Sequence, residues 1–373
     1  MYIATVTDPA PLTGPLGDDP ARLRTQLLDQ LIPAAITNRP PSTDPTDHFR
    51  PRHTWNPDQA RHHLTYLARL LTTHNTRDLA WWRLADHALT PVQKRQVTTR
   101  FGLVAGLGFG VGLGLMAWAE LFFTGIVAAP VLGLISGLIA GLTGKIVSRR
   151  WFTEEPGYVE LRFRTLKKHS VKRFWAGSVL GLVLGLALGL VTGLTEGLLL
   201  ENDIGLGIEL GLMYGLLFGP PFGFVGAVMS GLLRWVEQPA AVAAATTPTS
   251  TWNTDRTLTL FRVILAGLMV GLMVGSIAWF TDGLITEFMD RFGFLIGFVG
   301  GAVVGLIGGK HHAWAAYSVV ARRLAQSGDT PRNLMVFLDD AHRLGLLRAV
   351  GSIYQFRHAE LQDHLAALLP SED

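Results

Sequence analysis

Residues 174–199 read FWAGSVLGLVLGLALGLVTGLTEGLL, an apolar run in which Glu196 is the only charge. Glycine returns at every fourth position, at Gly177, Gly181, Gly185, Gly189, Gly193 and Gly197. A helix rises about 1.5 Å per residue, so about 20 apolar residues cross a hydrocarbon core of about 30 Å. The stretch therefore reads as a membrane-spanning helix. Lipid tails are as apolar as leucine, so helices in a bilayer associate through close backbone packing, which a stripe without side chains permits. Glycine costs about 1 kcal/mol in a water-exposed helix, but helix is the only way an isolated span satisfies its backbone in hydrocarbon.

Five more runs of this kind surround it, giving six spans at about 101–122, 126–147, 174–199, 205–233, 262–281 and 292–309. Of the 42 glycines, 37 fall between Phe101 and Gly309, without the Gly-X-Y period of collagen. The spans pair into three hairpins, each opening at a basic residue, turning at an acid (Glu120, Glu196 or Asp282) and returning through a second glycine helix. The fold class expected is mostly α: a polytopic helical bundle at 100–310, a cytosolic helical region at 1–99 and a small winged-helix-like tail at 311–373. The chain has no cysteine, which excludes disulfides, thiolate zinc sites, iron–sulfur clusters and thiol nucleophiles. A net charge of +3 over 373 residues is no strong nucleic-acid signal.

Basic residues near a span resist translocation and so mark the cytoplasmic side. Arg149, Arg150, Arg162, Arg164, Lys167, Lys168, Lys172 and Arg173 lie between spans two and three, while the short connections at 200–204 and 282–291 are acidic. Both termini are then cytoplasmic, and the chain is a multi-pass protein of the cell membrane. Met1–Leu16 lacks the basic start and apolar core of a cleavable signal, leaving the first span to target the chain.

Glu120, Glu196, Glu209 and Asp282 are the ionisable groups in or beside the spans, the usual mark of a proton or ion path. Their positions, close to the outer ends, suit interface anchors better. GLIAGLTGKI at 137–146 resembles a P-loop, yet Ile139 and Ile146 stand where the motif needs glycine and a hydroxyl. MVFLDD at 335–340 mimics a strand ending in Mg²⁺-binding acids, but Thr330 as cap, Pro331 at the first position and apolar residues at 334, 338 and 341 read as an amphipathic helix. No HExxH or GxSxG occurs, so neither a catalytic residue, a metal nor a cofactor of the chain's own is expected. Val159–Arg173 alternates basic and apolar residues, as a helix lying on an anionic leaflet would; a solvated loop fits equally.

Outside the spans, 22–36 and 57–74 read as amphipathic helices, the second capped by Asn56 with Pro57 first and Leu64, Leu67, Ala68 and Leu71 on one face. The Pro/Thr/Asp-rich stretch 37–55 between them is expected to be mobile. The tail reads as a helix at 332–347, a turn at Gly351–Ser352 and a helix at 358–369, the order of a winged helix.

Tyr354-Gln-Phe-Arg-His-Ala-Glu-Leu-Gln-Asp-His-Leu-Ala-Ala resembles the segment that follows the nucleotide module in NACHT-type signalling NTPases. Leu27-Leu-Asp through Ile32-Pro-Ala, Asp78-Leu-Ala-Trp-Trp, Pro156-Gly-Tyr and the Gly-Leu spans resemble the membrane-containing actinobacterial branch of that family. Met1-Tyr-Ile-Ala is similar to the run that ends the NACHT core, so the chain looks like the rear, membrane-spanning half of such a protein. The resemblance implies a phosphate-contacting role for His358, acting beside a P-loop NTPase half in cis or in trans. Walker A, the Mg²⁺-binding acid and the sensor arginine have no counterpart, so ATP hydrolysis is not carried over. The expected role is a membrane-anchored regulatory or effector part of a signal-transduction ATPase in stress signalling or phage defence. The rivals are a glycine-rich transporter or channel of three hairpins, and a non-catalytic membrane scaffold. Besides the bilayer and the NTPase half, a homo-oligomer is the remaining partner weighed.

Overall fold

The computed structural model describes residues 19–120, 125–156, 168–199, 202–236, 247–280, 287–308 and 312–368. Asp282 and most of Val159–Arg173 lie outside them; Lys168 to Arg173 open a helix. The described residues are mostly helical with few strands. Chain contacts divide it into two compact units.

The first unit comprises the described residues of Met1–Thr90, Ala244–Asn253 and Ala313–Asp373, so segments read separately at the two ends of the chain fold together. Helix α1 (Pro20–Asn38) starts at Asp19, whose carboxylate accepts from the amides of Ala21 and Arg22. Helix α2 (Pro57–Thr73) starts as its sequence dictates, with Asn56 accepting from Asp58 and Gln59 and with Pro57 first. Its Leu64, Leu67, Ala68 and Leu71 are all buried. Strand β1 (Asp78–Leu79) and a 3₁₀ turn at Trp81–Arg83 lead to α3 (Leu84–Ala88). From the C-terminal segment come α10 (Ala313–Ser327), α11 (Leu334–Arg343), β2 (Leu347–Val350), β3 (Ile353–Phe356) and α12 (Ala359–Ala367). The sheet is antiparallel in the order β1-β3-β2, with Asp78 opposite Gln355 and Leu79 opposite Tyr354. Helix α12 packs on α2, and α10 packs on α3 and the Trp81 turn, where Trp81 meets Tyr317 edge-on at 5.7 Å.

Two expectations for this unit need correction. The stretch 37–55 is not loose: Ser42 N–H donates to the Pro51 carbonyl, Arg52 to the carbonyls of Ser42 and Asp44, and α11 anchors its end. Helix α11 starts after Asn333, not at Pro331, and ends at Arg343, because Leu344, Gly345 (φ +78°) and Leu346 turn the chain into β2. Helix α10 lies between the last expected span, ending at 309, and the first expected helix of the tail, starting at 332.

The second unit comprises the described residues of Pro91–Ala243 and Thr254–His312. Its helices are α4 (Pro91–Glu120), α5 (Gly125–Ser148), α6 (Lys168–Leu199), α7 (Ile204–Val236), α8 (Pro248–Phe280, its first turns in the first unit) and α9 (Glu287–Ile307). Among the described residues three stretches are long and apolar enough to cross a membrane: Phe174–Val191, Ile204–Val228 and Pro248–Gly275. Phe292–Ile307 is a shorter apolar helix. Helix α8 begins well before the run at 262–281. Thr247 and Ser250 cap it reciprocally, each accepting the other's amide hydrogen, and Pro248 takes the first position.

Glycines lie where helices touch. A Cβ on Gly102, Gly106 or Gly110 of α4 would stand 2.6 Å from the carbonyl oxygens of Gly141, Gly137 and Gly133 of α5. Side chains on Gly177, Gly181, Gly185, Gly189, Gly193 and Gly197 would run into the α7 backbone between Gly207 and Gly226. Helices α8 and α9 meet similarly, Gly305 against the Arg262 carbonyl and Gly297 against that of Val270.

Candidate functional site

The acids singled out in the sequence do not gather into one constellation. Glu120 ends α4, Glu196 lies in the last turn of α6, and Glu209 is exposed in the second turn of α7. Gly197 faces Gly207 across the α6–α7 hairpin, which puts Glu196 and Glu209 at the same end of it. Asp203 caps α7 there by accepting from the amides of Gly205 and Leu206. His358 is exposed at the start of α12, with its side chain making no capping bond.

The polar groups that are held in place are ones the sequence reading passed over. In the second unit His312 is fully buried. Its amide donates to Glu154 Oε2 at 3.0 Å, its Nδ1 meets the same oxygen at 3.1 Å and its Nε2 meets the Gly308 carbonyl at 3.2 Å. Both ring nitrogens thus face oxygen acceptors. The Trp151 ring stacks on His312 with centroids 5.4 Å apart and planes 16° apart. Trp151 packs in turn on Phe101 of α4 at 4.6 Å. One cluster therefore ties the third turn of α4, the turn after α5 and the segment after α9. On α8, Asp255, Thr259 and Arg262 recur at helical spacing and are all buried.

In the first unit the organising group is Asp340, buried on α11. It accepts from the Arg52 amide at 2.6 Å, the His53 amide at 3.2 Å, His53 Nδ1 at 3.0 Å and the Trp55 indole at 2.9 Å. Its position was a usable signal, since Asp340 falls three residues after Phe337 on the apolar face of the helix. Asp29 of α1 similarly joins Arg61 of α2 to His364 of α12. Nearby, burial pushes the Tyr66 hydroxyl up to about 12 and holds the His63 imidazole below its ordinary value. These are structural anchors rather than reacting groups. Among the described residues no group of three or more His, Asp or Glu could hold a metal ion.

Compared with known family models, curated proteins and solved structures, the chain matches none.

Proposed function

We propose that the protein is a multi-pass membrane protein in which three glycine-packed hairpins carry a single cytosolic unit, and that it serves as the membrane-anchored regulatory or effector part of a NACHT-like signalling ATPase. The observation that carries this reading is the pairing of β1 with β3. Strands that share hydrogen bonds occupy one aqueous compartment, so the chain crosses the bilayer an even number of times between Leu79 and Ile353. Three crossings alone would put β1 and β3 on opposite sides. Six crossings, one for each helix from α4 to α9, fit both the parity and the hairpin packing. The basic residues between the second and third spans favour the cytosol for the shared unit.

Three features support the signalling role over the rivals. Tyr354–Ala367 folds as strand, exposed histidine and helix, leaving His358 accessible to a partner. The α10, α11, β2–β3 and α12 order, with β1 as third strand, is consistent with a winged-helix-like tail. The backbone-to-backbone faces of α4–α5 and α6–α7 leave no space for solute inside either pair, which disfavours transport through them.

The test is purification of the intact chain from washed membranes in mild detergent, followed by mass spectrometry and crosslinking with a photoreactive ATP analogue. A stoichiometric P-loop partner, with labelling reduced in His358→Ala, is expected. Recovery of the chain alone, with no nucleotide labelling, would refute the NTPase role. Solute flux into liposomes that is lost in Glu196→Gln would establish the transporter instead.

A further inference from the structure

The exposed faces of α4 and α5 each end in arginine. On α4, Val111, Leu107 and Val104 are exposed at steps of four and three, and Arg100 takes the next place on the same stripe. On α5, Ile139, Leu142 and Ile146 are exposed in the same way, and the stripe continues into exposed Arg149 and Arg150. The helices run antiparallel, with Gly102 facing Gly141 and Lys145, so the arginines belong to one end of the hairpin. Side chains lean toward the N-terminus of their own helix. Arg100 therefore leans away from its apolar stripe while Arg149 leans back toward its own, and the two approach a common level from opposite sides. Among the described residues no ion pair or hydrogen bond engages the guanidinium of Arg100, Arg149 or Arg150, and the nearby Glu154 accepts from His312.

We propose that this end of the hairpin binds the headgroup of an anionic phospholipid, its phosphate held by Arg100 and Arg149 with Arg150 alongside, and its acyl chains laid along the α4 and α5 stripes. Guanidinium is the group best suited to grip a phosphate through two parallel N–H bonds. The apolar stripe directly above selects a lipid over a free anion, because it contributes area that a soluble phosphate cannot use. The proposal rests on the membrane reading above and deepens it.

The test uses the full-length protein in detergent micelles with phosphatidylglycerol and phosphatidylcholine, reading retained lipid by native mass spectrometry. Wild type should keep phosphatidylglycerol preferentially. Each of R100Q, R149Q and R150Q should cut that preference roughly fivefold, the equivalent of ~1 kcal/mol per cation near an anionic surface. The exposed R332Q in the first unit should leave it unchanged. Undiminished preference in R100Q and R149Q overturns the site. So does displacement of the lipid by inorganic phosphate where sodium chloride of equal ionic strength has no effect. Alkaline washing of the source membranes separates the two levels of failure. Release of the chain refutes the membrane reading itself, whereas a retained chain without lipid preference refutes only the headgroup site.

Discussion

Gly185→Ala tests whether the glycines are there to let backbones touch. The new methyl would stand 2.8 Å from both the Gly219 Cα and the Phe218 carbonyl oxygen on α7. Backbone cannot swing aside as a side chain does, and carbon contacts are best at about 3.5–4.0 Å, so α6 and α7 must part by about 0.7–1 Å. A gap of that size forfeits about a quarter to a half of each facing dispersion contact, and overpacking of this kind costs about 1–3 kcal/mol. Alanine returns at most about 1 kcal/mol of helix propensity, and less in hydrocarbon, where the separated helix stays helical. A net loss of about 1–2 kcal/mol follows. Gly108 on α4 is the control, since a Cβ there meets nothing within 4 Å. Gly108→Ala should be neutral, or stabilising by up to about 1 kcal/mol. The triple change at Gly185, Gly189 and Gly193 should cost less than the sum of the singles, because one parting of the helices accommodates all three methyls. Equilibrium unfolding of the intact protein in detergent, read as a free energy for each variant, is the assay. If Gly185→Ala proves as stabilising as Gly108→Ala, the reasoning from backbone contact is wrong.

Three further outcomes are expected. His312→Ala should destabilise the second unit by about 1–3 kcal/mol, because the Glu154 and Gly308 acceptors lose their partner, and the thermal midpoint in detergent reads it. Asp340→Ala removes the acceptor for four donors and should cost at least about 3 kcal/mol, releasing 37–55 to limited proteolysis that spares the wild type; protection equal to wild type would contradict the anchoring role. The first unit should weaken at both ends of the pH scale. Tyr66 keeps its proton to about 12 when folded, so its contribution is complete below its ordinary value near 10 and fades as pH rises through 12. His63, whose folded value is lowered by burial, contributes fully above the ordinary histidine value near 6.5, and that contribution is lost as pH falls below it. Tyr66→Phe and His63→Leu should flatten the alkaline and acid limbs of the stability curve respectively.

What could be read from residues was what local chemistry determines. Asn56-Pro57 fixed the start of α2, and Leu64, Leu67, Ala68 and Leu71 named its buried face, because capping and periodicity are properties of adjacent residues. MVFLDD declared itself a helix for the same reason. The start of α8 is written in the Thr247–Ser250 capping pair, which stands well before the hydrophobic run at 262–281 that marks the span. Long-range pairings were beyond reach. Nothing near Asp78 announces that Gln355 will lie opposite it, and nothing near His312 points to Glu154, since the chain brings these residues together only after the helices between them have packed. The order of the stretch 37–55 belongs to the same class, because the acid that holds its end is nearly three hundred residues away.

The start of α8 joins the two kinds of signal. Thr247, Pro248 and Ser250 open the helix through capping that adjacent residues determine. One residue further on, Thr251 Oγ1 accepts from the Trp81 indole at 3.2 Å within the first unit, and Trp81 in turn meets Tyr317 edge-on. A helix start written in local sequence therefore fixes a buried aromatic contact that brings together three distant parts of the chain, and no local signal announces that contact.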